Sequence, residues 1–187
     1  MKKGYLLIDY IFDFIDDQGV LSLGQRGQAI ASNILKVIHK AKDDQDALFI
    51  CSDNHEEEVY ALSPEANLFP LHCCEDGHCL VLDETAFEQA KPDMTFSIDK
   101  HMYSSFNGTR LELLLRQLDI KEVIIMGVCT DICVLHTAID AYNRGFKLVI
   151  LSDCCCGLTD EGHAFALNHF KHTLGAEVMT SDTWLAR

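Results

Sequence analysis

The chain is short of positive charge. Across 187 residues, 15 lysines and arginines stand against 29 aspartates and glutamates, a formal net charge of −14. Binding nucleic acid requires a basic footprint that displaces counterions from phosphate. None is present, so no nucleic-acid partner is expected, and an anionic membrane surface is disfavoured for the same reason. The acidity points to solubility. Proline is scarce, at three residues, and no internal repeat or low-complexity tract is visible. With a hydrophobic fraction of 48%, this excludes a disordered chain. No apolar stretch approaches the ~20 residues that span a bilayer. The opening "MKKGYLLIDYIFDFI" has the lysines of a signal peptide. Asp9 and Asp13 break its apolar run, however, and no small-residue cleavage site follows. It reads as a first strand.

A disulfide framework is also missing. The nine cysteines are odd in number and clump at Cys73–Cys74 and Cys154–Cys156. Sequence neighbours do not readily pair, and a chain of this size buries about 70% of its unfolded surface without staples. A reducing, cytoplasmic setting is expected. The length suits one domain over residues 1–187.

What is present is alternation. Short apolar runs at 4–10, 47–53, 95–100, 122–128, 146–153 and 176–180 suit buried strands. Helical spacing recurs at 27–44, 108–119, 130–145 and 161–175, with Thr109 and Thr130 or Asp131 near starts and Gly145 and Gly175 at stops. Residues 54–93 read as a long loop region with a short helix near "DETAFEQA"; a loop of that length is usually functional. The pattern predicts an α/β fold: a three-layer α/β/α arrangement around a mostly parallel six-stranded sheet. Ligands of such sheets bind beyond the carboxyl ends of the strands. Asp9, Asp53, Lys100 and the 129–133 turn all fall at such ends.

Cys133 lies in the first turn of an expected helix, where free N–H groups and the helix dipole favour a thiolate. That makes it a better nucleophile than Cys129, whose contribution would be its backbone N–H. The alternative is that Cys133 is a small buried hydrophobe, as most free cysteines are. Asp9 and Lys100 form either a structural ion pair or, with Cys133, a proton carrier and a cation beside a nucleophile. In the 54–93 region, Asp53 and His55 point to one side of an extended chain, and Glu65 and His72 follow. These four are either a mixed N/O set for Zn²⁺, Fe²⁺ or Mn²⁺ or part of a solvated acidic loop. "HCCEDGHC" lacks the paired C-x₂-C spacing of a structural zinc knot.

Taken together, "LLIDYIFDF", "SDNH" with "SPEANLFPLH", "DKHMYSSFNGT" and "GVCTDICVLHTAIDAYNRG" resemble the nicotinamidases, within the isochorismatase-like cysteine hydrolases. The resemblance covers nearly the whole chain. It implies catalytic Asp9, Lys100 and Cys133, with an oxyanion hole from the amides of Cys129 and Cys133 after a cis Val128–Cys129 peptide. It implies one divalent metal, zinc before iron or manganese, on Asp53, His55, Glu65 and His72 in a loop region of about 53–80. It places substrate-stacking aromatics at Phe14, Phe69 and Tyr103. The implied substrate is nicotinamide or a close pyridine or pyrazine carboxamide, hydrolysed through a thioester in NAD salvage, and the implied assembly is a dimer or tetramer. One departure stands out: "CCEDGHCL" replaces the Gly-Thr turn usual after the last histidine. Rival readings are a metal-free hydrolase of a carbamoyl amide or isochorismate, a catalytically dead metal-binding protein, and a thiol redox protein. The last would need a resolving cysteine, and Cys129 lies four residues away rather than three as in C-x-x-C.

Overall fold

A computed structural model describes residues 2–187. Strand β1 (Lys3–Ile8) is apolar on both faces because both faces are covered. Tyr5 and Leu7 join one core; Leu6 and Ile8 join the other. The remaining strands are β2 (Ala47–Asp53), β3 (Thr95–Lys100), β4 (Glu122–Val128), β5 (Lys147–Cys156) and β6 (Glu177–Met179). They form a six-stranded sheet in the order β3-β2-β1-β4-β5-β6, and every pair is parallel.

The helix Ala31–Asp43 covers one face with Ile34, Val37, Ile38 and Ala41, all fully buried. Full burial of such a branched side chain is worth about 1.5–3 kcal/mol. Helices Glu84–Ala90 and Ser181–Leu185 share that face through Phe87 and Trp184. Helices Leu111–Gln117, Cys133–Asn143 and Asp160–His172 cover the opposite face through Leu115, Ala138 and Phe170. The chain winds outward from β1 to β3, then returns to β4 on the other side of β1. The connections after β1 and β4 therefore part, leaving a crevice at the strands' carboxyl ends.

Strands β2, β3 and β4 have the bounds expected from sequence. Strand β1 ends at Ile8 rather than at residue 10, and three other regions differ more. Strand β5 runs three residues beyond 153, because Cys154 and Cys156 pack into one core and Cys155 into the other. Gly127 and Val128 pair with Cys155 and Cys156 after a bulge in β5 opposite Ile125 to Gly127. The helix expected over 27–44 is split into a single turn, Gln25–Gln28, and Ala31–Asp43. Residues 54–93 contain the expected helix at Glu84–Ala90 and also single turns at Glu57–Tyr60, Pro64–Asn67 and Glu75–His78. Ser63 and Asp83 cap two of these by accepting the N–H groups of Ala66 and Ala86.

Strands β1 and β4 approach so closely at their ends that only glycine fits at 127. Its φ is +120°, and a Cβ there would overlap the Ile8 backbone. Gly127→Ala should therefore lower stability by about 3 kcal/mol or more. Chemical denaturation checks this, and an unchanged midpoint would contradict the packing described.

Candidate active site

Asp9 leaves β1 in the left-handed region, φ 51°, which turns its side chain back over the sheet. Its N–H donates to Cys51 O at 2.8 Å, and its Oδ1 accepts from the Asp53 N–H at 2.7 Å. The β2–β3 register sets Asp53 opposite Lys100. Lys100, fully buried, reaches Asp9 Oδ2 at 2.8 Å, Asp53 Oδ1 at 3.0 Å and Cys133 Sγ at 3.7 Å. Acid, amine and thiol thus come together from three strand ends, with all three side chains buried.

The charges of this cluster set one another. Burial raises Asp9 to about 6; Lys100 opposes that shift and Asp53 adds to it. Burial also works against the Asp53 carboxylate, but Lys100 and His55 outweigh it and hold the group near 2. Burial disfavours the Lys100 ammonium, yet Asp53 and Asp9 lift it well above its ordinary range. Burial drives the Cys133 thiol up, Lys100 opposes, and Asp9 and Asp53 add to the rise. The net result reverses the sequence expectation of a lowered thiol. At rest Cys133 is a protonated thiol beside a carboxylate.

Cys133 lies in the first turn of its helix, as expected, but the helix starts at Cys133 rather than at 130, and Thr130 and Asp131 do not cap it. Ile132 occupies the N-cap position and provides no side-chain cap. Thr130 Oγ1 instead lies 2.8 Å from His163 Nδ1, and Asp131 Oδ1 accepts from the Leu158 N–H at 2.9 Å. The Val128–Cys129 peptide is cis. Around it the Thr130 N–H donates to Cys156 O, and those of Ile132 and Val134 donate to Cys129 O. Among the described residues, the amides of Cys129 and Cys133 have no acceptor. Buried N–H groups left open in this way suit a developing oxyanion.

Asp53, His55, Glu65 and His72 also converge. One ligand atom from each lies within 4.8 Å of all the others. His55 Nε2 is 3.4 Å from Asp53 Oδ2 and 4.0 Å from Glu65 Oε2; His72 Nε2 is 3.9 Å from Asp53 Oδ2 and 3.7 Å from Glu65 Oε1. Ligands about 2.0–2.1 Å from a tetrahedral ion stand roughly 3.3 Å apart, so small movements close this set. His55 Nε2 is buried without a hydrogen-bond partner. His72 Nδ1–H donates to Pro70 O at 2.8 Å, which leaves Nε2 with a free lone pair. Burial holds the His72 imidazole below its ordinary value, hence neutral, and burial followed by Asp53 raises Glu65. Two imidazoles and two carboxylates around a common centre fit a divalent ion of the Zn, Fe or Mn type.

Both groups open into one cavity of about 270 Å³. Phe14, Phe69 and Tyr103 line it, as do Cys129 and Cys133 on one side and Asp53, Glu65 and His72 on another. No lysine or arginine lines it. The sequence gives no sign of the remaining wall, Val20 to Ser22, Ile132 and Leu158, since 20–22 and 158 lie outside any element. Tyr60 is also undetected. Its hydroxyl donates toward Phe69 O and Pro70 O at 2.9 and 3.0 Å, and its ring packs 4.8 Å from His55 and 5.3 Å from His72.

With this geometry established, likeness to known proteins is informative. The Isochorismatase domain model matches residues 4–183. The isochorismatase family protein PncA of Bacillus subtilis is 39% identical over 184 residues, covering 95% of this chain and 99% of that protein. The solved pyrazinamidase/nicotinamidase of Streptococcus mutans is 39% identical with a TM-score of 0.87, covering 95% of this chain and 99% of that one. A pyrazinamidase of Pyrococcus horikoshii, solved in complex with zinc, is 28% identical with a TM-score of 0.82, covering 96% and 99%.

Removing the buried ammonium leaves two carboxylates facing each other without a counter-charge. Lys100→Met should cost about 3–5 kcal/mol of stability, read from the denaturant midpoint at neutral pH. A loss below about 1 kcal/mol, the scale of an exposed pair, would contradict the arrangement.

Proposed function

The chain belongs to the isochorismatase domain family, and from that premise we propose that it is a metal-dependent nicotinamidase. It hydrolyses nicotinamide, or a close pyridine or pyrazine carboxamide, to the acid and ammonia. The observation that carries this reading is the shared cavity: a two-histidine, two-carboxylate donor set and a thiol–acid–amine cluster open into the same small space. A thiol hydrolase of carbamoyl amides has no need of the donor set. A substrate such as isochorismate, with its carboxylates, would enter a cavity lined by Asp53 and Glu65 and by no lysine or arginine. A neutral heteroaromatic amide meets neither objection.

Asp53, His55, Glu65 and His72 would hold a divalent ion, which would supply Lewis acidity toward a heteroaromatic substrate. Phe14, Phe69 and Tyr103 bound the flat faces of the ring and leave the carboxamide over Cys133. Asp9 takes the Cys133 proton, which its place beside the thiol and its raised affinity for protons equip it to do. Lys100 keeps the pair net-neutral as charge moves from carboxylate to sulfur. The thiolate attacks the amide carbon, and the oxyanion takes hydrogen bonds from the Cys129 and Cys133 amides, each worth about 3–4 kcal/mol in such sites. Asp9 returns the proton to the leaving nitrogen, ammonia departs, and a thioester remains on Cys133. Asp9 then takes a proton from water, whose oxygen attacks the thioester. The acid leaves, and Asp9 passes the proton it took from water to the Cys133 thiolate. One water is consumed for each ammonia released, and the product is the nicotinate of NAD salvage.

Ammonia release from nicotinamide by zinc-loaded protein tests the reading. Cys133→Ala should lose turnover by a factor of at least about 10³ while keeping its metal; turnover near wild type would refute the nucleophile. Cys129→Ala should stay active, since only its amide is used, and a dead variant would count against that role. His72→Ala should lose metal and show a steep rise in KM. Full metal content in the purified variant would show that the donor set is misassigned.

A further inference from the structure

In sequence Asp13 does no more than interrupt the opening apolar run, and the chemistry above makes no use of it. Yet it is buried, at 6% exposure, and among the described residues it pairs with no cation. Its charge is met by amides. Oδ2 accepts from the Cys73 N–H at 2.6 Å, and Oδ1 accepts from the Val20 N–H at 3.3 Å. Cys73 is a poor choice for the backbone it adopts: φ is 55°, a conformation that costs a non-glycine residue about 1–2 kcal/mol. That conformation turns its N–H toward Asp13. The same residue follows His72 directly, and its carbonyl accepts from the His55 N–H at 3.1 Å. One residue, Cys73, thus ties the backbone of both histidines together through its two peptide groups, and Asp13 holds that residue by its N–H.

The other oxygen and the backbone of Asp13 fix the opposite wall. Val20 and Leu21 line the cavity; the Leu21 N–H donates to Asp13 O at 2.9 Å. Phe14, next in sequence, sets its ring 5.6 Å from that of His72. Gly77 closes the third side, where a Cβ would collide with the Asp13 carboxylate.

We propose that Asp13 is a positioning residue that holds both histidines of the donor set and the facing wall of the cavity in one frame, so that metal affinity and substrate affinity are set through a single buried carboxylate. The inference rests on reading residues 53–72 as a metal site. An acceptor is needed at both oxygens. Asparagine offers only one and would aim its NH₂ at an N–H.

The test loads wild type, Asp13→Asn, Gly77→Ala and Asp46→Asn with Zn²⁺ and follows zinc transfer to a chromophoric chelator, alongside apo-protein melting and steady-state kinetics. Asp46 serves as control: it is equally buried and accepts the Lys3 N–H at 2.8 Å, far from the cavity. Asp13→Asn should release zinc about 10–100-fold faster, the usual cost of losing a group that orients metal ligands. Its KM for nicotinamide should rise while kcat at saturating zinc and substrate holds. Gly77→Ala, which keeps the charge but displaces it, should move the same way, and it decides the matter if Asp13→Asn does not fold. Asp46→Asn should melt earlier yet release zinc at the wild-type rate. Wild-type release from both Asp13→Asn and Gly77→Ala, or equal acceleration in Asp46→Asn, overturns the proposal. Wild-type protein that holds no zinc overturns the metal reading beneath it.

Discussion

A single buried ammonium organises this site. Lys100 has no solvent contact and lies between two carboxylates from neighbouring strand ends. At an effective dielectric of about 20, each contact near 3 Å is worth roughly 5 kcal/mol of attraction. Stripping the ions of water costs several kcal/mol apiece. These terms nearly cancel, so the cluster adds little net stability. What it secures is the placement of charge. Two acids that would otherwise repel each other can stand within reach of one thiol, and the sheet's parallel register holds them there.

Asp53 joins the two halves of the site. Its Oδ1 faces Lys100, and its Oδ2 faces His55 and His72. The donor set and the nucleophile cluster therefore share a carboxylate. This makes their chemistry interdependent: whatever neutralises Asp53 from the histidine side alters the field felt by Lys100, and through it the field at Asp9 and Cys133. The resting proton sits on sulfur because burial penalises the thiolate, while Asp9, raised to about 6, remains a competent acceptor near neutrality. In the proposed mechanism, proximity to a base, rather than a permanently ionised sulfur, activates the nucleophile.

Much of this was legible in the sequence, and the parts that were not have physical reasons. Strands β2, β3 and β4 could be bounded because each is an apolar run closed by turn or polar residues, and their ends named the rim where Asp9, Asp53, Lys100 and Cys133 meet. Strand β5 outruns the sequence expectation because cysteine, small and weakly polar, marks neither a strand nor its end. The turns at 57–60, 64–67 and 75–78 are shorter than any period by which a helix is recognised. Thr130 and Asp131 look like caps but spend their side chains on His163 and Leu158, partners about 30 residues away that no local rule identifies. The same holds for Val20, Leu21 and Asp13, whose places in the cavity depend on contacts across the chain. The candidate donor set and the thiol–acid–amine cluster are indicated mainly by resemblance; spacing alone leaves a solvated loop and a structural ion pair open.

The central claim is that Cys133 carries the acyl group of the substrate. Mixing zinc-loaded protein with excess nicotinamide, quenching in acid during turnover and mapping peptides by mass spectrometry tests it most directly. The account predicts a nicotinoyl thioester on the peptide bearing Cys133, formed at least as fast as ammonia is released. Steady ammonia release from protein that carries no acyl group at Cys133, or carries it on another of the nine cysteines, would contradict it.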